Sequence, residues 1–259
     1  MADHKPLILV TNDDGITAHG IRTLVEVMQQ LGTVMVVAPN SPQSGMGHAI
    51  TISSPLRLYP SDIFGDVISY ECSGTPADCV KLAKHHVLKD RAPDLVVSGI
   101  NHGFNTSISV LYSGTMSAAI EAAIEGIPAI GFSLGDFSRQ PDFSHVREHV
   151  LTIAQQVLKR GLTKGVALNV NFPPRAAEPL QGIKICRQAN AKWQESFDER
   201  RDPHGRRYFW LDGEFVNFDT HAEDTDEYAV AHNYTSVVPC QYDMTAHQTA
   251  EQMREWNFH

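Results

Sequence analysis

Short apolar runs without alternation, separated by stretches of helical periodicity, dominate the first half of the chain. Residues 7–11 read LILVT, which predicts a strand buried on both faces. In ITAHGIRTLVEVMQQLG, Ile21, Leu24, Val25, Met28 and Leu31 recur at helical spacing, and Gly32 stands where such a helix can end. TVMVVAP, residues 33–39, predicts a second buried strand. Strand, helix and strand in that order begin a parallel α/β sheet. APDLVVSGI and IPAIGFSL predict further strands of the same kind. GTPADCVKLAKHHVL opens with a helix-start signal: Thr75 as cap, Pro76 in the first turn, and Asp78 three residues after the cap. TMSAAIEAAIEG predicts a helix with Thr115 as cap and Gly126 as stop.

From about residue 135 the character changes. FSHVREHVLTIAQQVLKRG is amphipathic, and GVALNVNFPP is a strand closed by two prolines. From residue 182 the pattern predicts β-hairpins: GIKICRQA, then RRYFWLDGEF with Asp212-Gly213 as its turn. The charged stretch 189–205 between them reads as a loop or an assembly arm. TDEYAVAHNYTSVVPCQYD predicts a short helix and a strand. A soft boundary therefore divides residues 1–135, the predicted core, from 136–259, which complete it and add the hairpin region.

Composition narrows the class. Apolar residues make up 42% and charged residues 20%, ordinary for a globular protein. The formal charge of -9, from 21 basic and 30 acidic residues, argues against a nucleic-acid duplex as partner. A phosphorylated small molecule stays open if a metal ion or a helix N-terminus supplies local positive charge. Four cysteines, none in a CxxC pair, give no disulfide framework, and Cys72 and Cys79 read as small buried hydrophobes. No run approaches the roughly 20 apolar residues of a spanning helix. The expectation is a cytoplasmic protein without membrane contact.

Candidate chemistry begins where the first strand stops, at NDDG. Adjacent Asp13 and Asp14 repel one another unless a cation joins them. In a parallel sheet, ligands bind at the carboxyl ends of the strands. That stretch alone leaves two readings: a cation site, or a helix capped by Asp14 with Asp13 facing water. Three loops on the same sheet edge bear on the choice. QSGMGHA offers Ser44 and the close backbone approach of Gly45; SGINHGFN offers Asn101 and Asn105; LYSGT brings Ser113, Gly114 and Thr115 to a helix N-terminus, a suitable anion cradle. Together they fit metal-assisted hydrolysis of a phosphomonoester. Other phosphate chemistries lack their patterns. There is no GxxxxGK[ST] run and no GxGxxG after the first strand. The aspartates are adjacent, not spaced as in an aspartyl-phosphate hydrolase, and VVSGIN supplies no phosphoacceptor aspartate.

In order along the chain, ILVTNDDGI, APNSPQSGMGHAIT, CSGTPADCVKLA, VVSGINHGFN, LYSGTMSAAIEAAIEG, NVNFPP and TDEYAVAHNYTSVVP resemble the survival protein SurE family of 5'/3'-nucleotidases. The resemblance implies an α/β fold: a Rossmann-like, three-layer, parallel-sheet core. A smaller C-terminal region of β-hairpins with a subunit-exchanged arm, in dimers or tetramers, goes with it. It implies hydrolysis of nucleoside 5'- and 3'-monophosphates with one divalent ion per subunit, Mg2+ or Mn2+. Asp13, Asp14, Ser44 and Asn101 match the metal ligands, with Asp13, Asp14 and Asn101 at the centre of catalysis. Asn105, Ser113, Gly114 and Thr115 match segments lining the phosphate site, and the backbone N–H groups near Gly45 are expected to join them there. The alternatives are a broader phosphatase acting mainly on short-chain polyphosphate, and a nucleotide- or metal-sensing assembly protein with little turnover.

The chain departs from the family pattern at His19, where APG is usual and AHG stands, and at Asn233, where a glycine usually precedes the tyrosine. The second departure is expected to bear on the exchanged lid and on substrate choice. His48, also loop-borne, is expected within reach of the leaving group, although the resemblance assigns it no role. Of His85 and His86, one is expected to face the core edge and the other solvent. Trp193, Trp210 and Trp256 read as packing or as stacking platforms for a base.

Overall fold

A computed structural model describes residues 5–89, 91–138 and 140–258. In chain order the elements are β1 (Leu7–Thr11), α1 (His19–Met28), β2 (Thr33–Pro39), β3 (Leu58–Ser61), β4 (Ile68–Cys72) and α2 (Pro76–Leu82). Next come β5 (Leu95–His102), α3 (Gly114–Ile124), β6 (Ala129–Leu134), α4 (Arg147–Arg160) and β7 (Val166–Phe172). The chain ends with β8 (Ile183–Ile185), β9 (Ala191–Arg201), β10 (Arg207–Asn217), α5 (Asp226–Ala231), β11 (Thr235–Gln241) and α6 (His247–Met253).

Nine strands form one sheet in the order β3-β4-β2-β1-β5-β6-β7-β11-β8. The six strands from β4 to β7 in that order are mutually parallel, which matches the parallel α/β sheet expected from the apolar runs and the Rossmann-like core implied by the resemblance. Every residue of β1 and of β6 is buried, because helices cover both sheet faces. α1 and α4 pack on one face around Ile8, Leu24, Phe132 and Val150. α2 and α3 pack on the other around Leu9, Val37, Val96 and Met116. Phe132 and Phe172 stack at 6.0 Å inside the first layer. Each such side chain, fully buried, contributes roughly 1.5–3 kcal/mol.

Successive strands run outward from β1 in one direction through β2 and β4, and from β5 in the other through β6 and β7. The order therefore reverses between β1 and β5, the place where an open α/β sheet leaves a crevice at its carboxyl edge. NDDG and SGIN flank that crevice.

Capping of α2 follows the sequence signal. Thr75 Oγ1 accepts from Asp78 N at 3.2 Å and Asp78 Oδ2 accepts from Thr75 N at 3.0 Å, a reciprocal capping box. For α3 the cap is Ser113, whose hydroxyl accepts from Met116 N at 3.0 Å, and not Thr115. Gly126 ends that helix with φ of +76°, a conformation glycine adopts without penalty. His85 and His86 are both exposed, on a π-helical turn that extends α2, so neither faces the core.

The C-terminal region departs further from the sequence reading. Residues 191–201 are not a loop but β9, paired antiparallel with β10 over eleven residues. Asp212 and Gly213 lie inside β10, opposite Ser196 and Glu195. The turn falls at Asp202–Gly205 instead, where Asp202 accepts from His204 N and Arg206 N. GIKICRQA forms no hairpin, since β8 joins the edge of the main sheet parallel to β11. Asn233 has φ of +61°, so it supplies the left-handed backbone that a glycine would, and its amide donates to Pro179 O at 2.8 Å.

Candidate active site

Asp13 stands at the end of β1, 3% exposed, against the N-terminus of α3. Thr115 Oγ1 donates to its Oδ1 at 2.5 Å, and the Thr115 backbone N–H points at it as well. The first anion met by the α3 N-terminus is thus the protein's own carboxylate, a favourable placement for negative charge. Gly114 makes the approach possible. A Cβ there would lie 2.7 Å from Asp13 Cβ and 2.9 Å from its Oδ2. Burial, then the neighbouring Asp14 charge, raise the Asp13 pKa to about 6 in spite of the Thr115 bonds.

Asp14 accepts from His102 N at 3.1 Å, across the β1–β5 crevice. Its pKa is also raised, chiefly by burial. No lysine or arginine among the described residues forms an ion pair with either aspartate. Asn101 sits near the end of β5, beyond a register shift against β6. The shift occurs at Gly99, where φ is +121° and an added Cβ would meet Phe132 O at 2.3 Å. Asn101 Nδ2 donates to Gly103 O at 2.9 Å, which fixes the amide and leaves Oδ1 free.

Ser44 arrives on the loop after β2, which is fastened at several points. Gln43 N donates to Asp13 O at 2.7 Å, and Gly47 N to Tyr112 O at 3.2 Å. Farther along, Thr75 Oγ1 donates to Ala49 O, and Thr51 donates to Asp78 through both its N–H and its hydroxyl. The α2 capping box therefore also anchors the loop that presents Ser44.

Asp13, Ser44, Gly45, Asn101, Asn105 and Ser113 line one cavity of about 430 Å³. Asp14 stands beside it, held by His102, which does line it. Gly114 and Thr115 are not on its wall; both serve Asp13. Asn105 is set by a buried network: its N–H donates to Asn171 Oδ1, its Nδ2 to Ser133 Oγ, and its carbonyl accepts from Asn169 Nδ2. His48 faces elsewhere, 2.9 Å from Glu121 Oε2 on α3, and His19 is an exposed residue of the first turn of α1. Neither lines this cavity.

The donor set is two carboxylates with a hydroxyl and an amide oxygen, all hard oxygen ligands. It suits Mg2+ or Mn2+ better than a softer ion. Among the described residues, no group of three or more His, Cys, Asp or Glu side chains gathers in a way that could hold a metal ion. Any cation here would thus depend on the neutral oxygens of Ser44 and Asn101.

Several residues of the cavity were not singled out by the sequence reading. Phe104, Phe137 and Phe215 join Trp193 on its wall, together with Glu227 of α5. Burial, opposed by the Thr106 hydroxyl and reinforced by Asp226, raises the Glu227 pKa. Asp226 is fully buried and accepts from Ser107 N and Ala189 N, tying the segment after β5 to the root of the β9–β10 hairpin. TDEY carried the signal for both carboxylates, but only as a helix start.

Comparisons with known proteins identify relatives along nearly the whole chain. The profile described as "Survival protein SurE" matches residues 8–195. A protein named 5'-nucleotidase SurE from Cytophaga hutchinsonii is 69% identical over 98% of each chain, and one of the same name from Flavobacterium psychrophilum is 60% identical over 98% of each. The crystal structure of the SurE protein from Aquifex aeolicus superposes with a TM-score of 0.83 at 38% identity, covering 96% of this chain and 98% of that one. The chain belongs to the survival protein SurE family.

Proposed function

We propose that this protein is a divalent-cation-dependent phosphomonoesterase that hydrolyses nucleoside 5'- and 3'-monophosphates to nucleoside and phosphate. The observation that carries the reading is Asp13: a buried carboxylate beside a second one, without a basic partner among the described residues, at the mouth of a cavity with polar and aromatic walls. Asp13, Asp14, Ser44 and Asn101 would hold one Mg2+ or Mn2+. When bound, such an ion polarises a phosphoryl oxygen and lowers the pKa of a water.

The chain's own residues prepare that chemistry. Thr115 and Gly114 fix Asp13, the His102 N–H fixes Asp14, and the Gly103 carbonyl orients Asn101. Ser113, Gly45 and Asn105 border the space for the phosphate, so their polar groups would orient it. The aromatic wall gives an apolar ring a place to lie. That wall favours nucleotides over polyphosphate, which has no apolar part. The relatives named 5'-nucleotidase support the same substrate class.

Self-association belongs to this reading. Among the described residues, the β9–β10 ribbon pairs only with itself, and it exposes Phe197, Phe209, Trp210 and Leu211. An isolated ribbon is marginal in water, so a second copy covering it, in a dimer or tetramer, is consistent with its length. No described helix is long and apolar enough to cross a membrane.

The test is phosphate release from 5'-AMP, 3'-AMP and tripolyphosphate, each with Mg2+, Mn2+ or chelator. Turnover of both nucleotides that needs the cation is expected. Full activity in chelator, or tripolyphosphate as the better substrate, would overturn the reading.

A further inference from the structure

One end of the cavity is bordered by aromatic side chains and by a carboxylate with no task in the scheme above. Trp193 on β9 and Phe215 on β10 are directly opposed across the root of the hairpin, edge to face with centroids 5.4 Å apart. That root is held in place. Ser107 Oγ lies between the carbonyls of Ala189 and Ala191, at 2.9 and 2.7 Å, and Asp226 takes the N–H groups of Ser107 and Ala189. Trp193 is thus fixed in position although 47% of it remains exposed. Phe137 contributes a further ring to the same wall.

Glu227 stands in the first turn of α5 and lines the cavity. Thr106, the residue after Asn105, lines the cavity with it, so Glu227 shares a wall with the proposed phosphate end. Its Oε1 is buried and has no hydrogen-bond partner. A buried acceptor without a donor is costly, and such atoms in folded proteins normally find one. Asp226 beside it differs, since its oxygens are engaged by the N–H groups of Ser107, Ala189 and Glu227 itself. Glu227 is the carboxylate left with capacity to spare.

A ligand that satisfies this wall carries a hydroxyl donor close to its phosphate and a flat ring beyond. We propose that Glu227, Trp193 and Phe215 form the nucleoside subsite, with the base against the aromatic faces and Glu227 accepting a hydrogen bond from a sugar hydroxyl. The proposal rests on the nucleotidase reading and deepens it. Glu227 acts in substrate selection, not at the bond that is cleaved.

The experiment measures kcat and KM for 5'-AMP, 2',3'-dideoxy-5'-AMP and p-nitrophenyl phosphate, using the full chain with Mn2+. Wild type, Glu227→Gln and Trp193→Ala are compared. For Glu227→Gln, the ratio of kcat/KM on 5'-AMP to that on p-nitrophenyl phosphate is expected to fall about tenfold or more, through KM. The preference for 5'-AMP over the dideoxy nucleotide should fall with it. Gln keeps the size and shape of the side chain, which separates lost recognition from lost folding. Trp193→Ala should raise KM for both nucleotides alike by about tenfold. Ratios within twofold of wild type for Glu227→Gln, whether all activities fall together or none does, overturn the subsite. If wild type hydrolyses p-nitrophenyl phosphate but not 5'-AMP, the nucleotidase reading fails and the subsite fails with it. If wild type hydrolyses 5'-AMP and the ratios hold, the subsite alone fails.

Discussion

Replacing Gly114 by alanine sets two effects against each other. Gly114 is the first residue of α3, and alanine in a helix interior is favoured over glycine by up to about 1 kcal/mol. Propensity alone therefore predicts a neutral or stabilising change. The added methyl, however, would lie 2.7 Å from Asp13 Cβ and 2.9 Å from Oδ2. Packed carbons sit at about 3.5–4.0 Å, so one partner must yield by about 0.8 Å or more. Overpacking of this kind costs about 1–3 kcal/mol, which outweighs the propensity gain. The group that yields is a carboxylate of the proposed cation site, and a misplacement near 1 Å at such a site costs about 10²-fold in rate. The expectation is a kcat/KM on 5'-AMP reduced about 100-fold, with a net destabilisation of about 0–2 kcal/mol. Gly126→Ala is the comparator. No atom lies within 4 Å of its added Cβ, but φ is +76°, so it should lose about 1–2 kcal/mol of stability and keep its activity. Steady-state kinetics and denaturant unfolding of the three proteins decide the matter. A fully active Gly114→Ala variant would refute the link between this glycine and the placement of Asp13.

Two other outcomes follow from the same site and its support. In chelator, the folded protein binds a proton at Asp13 more tightly than the unfolded chain does, because the pKa is about 6 against 3.8. That contribution is complete below about 3.8 and is lost as pH rises through about 6, in total about 3 kcal/mol. Asp13→Asn should therefore gain on wild type between pH 4 and 7 in metal-free unfolding, while added Mn2+ raises the Tm of wild type alone; a pH-independent difference would count against this. Asp226→Asn should destabilise by about 2–4 kcal/mol, since an amide N–H₂ would face the buried N–H of Ser107 or Ala189, and an unaltered denaturation midpoint would contradict it.

The parts legible in the sequence are those decided locally or by a topological rule. LILVT, TVMVVAP and IPAIGFSL could be read because burial on both faces removes alternation. Thr75, Pro76 and Asp78 could be read because a capping box involves only neighbours. The edge on which the loops meet followed from strand order. The α3 cap was misplaced because Ser113 and Thr115 both carry hydroxyls, and what separates them is a bond from Thr115 to Asp13, 102 positions away in the chain. β9 was missed because AKWQESFDERR buries no face in the single chain, and a strand without a buried face has no period to show. Its turn was misplaced because both DPHG and LDG are competent to turn, and the eleven-residue pairing selects the first. The aromatic wall was illegible for another reason. Phe104, Phe137, Trp193 and Phe215 lie on four separate segments, and only the folded chain brings them to one cavity.

A formal charge of -9 and the proposed dianionic substrate look incompatible, and the way α3 is used sharpens the difficulty. The helix N-terminus that would ordinarily receive a phosphate is partly committed to Asp13, through the Thr115 hydroxyl and N–H. Those bonds keep a carboxylate in a place where burial works against its charge. If the site were only a phosphate cradle, an alanine in place of Asp13 would serve better, since it would leave the α3 N–H groups to the ligand. Holding Asp13 there is useful if the carboxylate, with Asp14, Ser44 and Asn101, gathers a cation, because one divalent ion adds two positive charges at a point the phosphate can reach. The helix dipole would then act at second hand, by supporting a carboxylate that holds the ion whose charge draws in the phosphate. On this logic the cation is a condition of substrate binding as well as of turnover, so 5'-AMP affinity should collapse in chelator even where no hydrolysis is being measured.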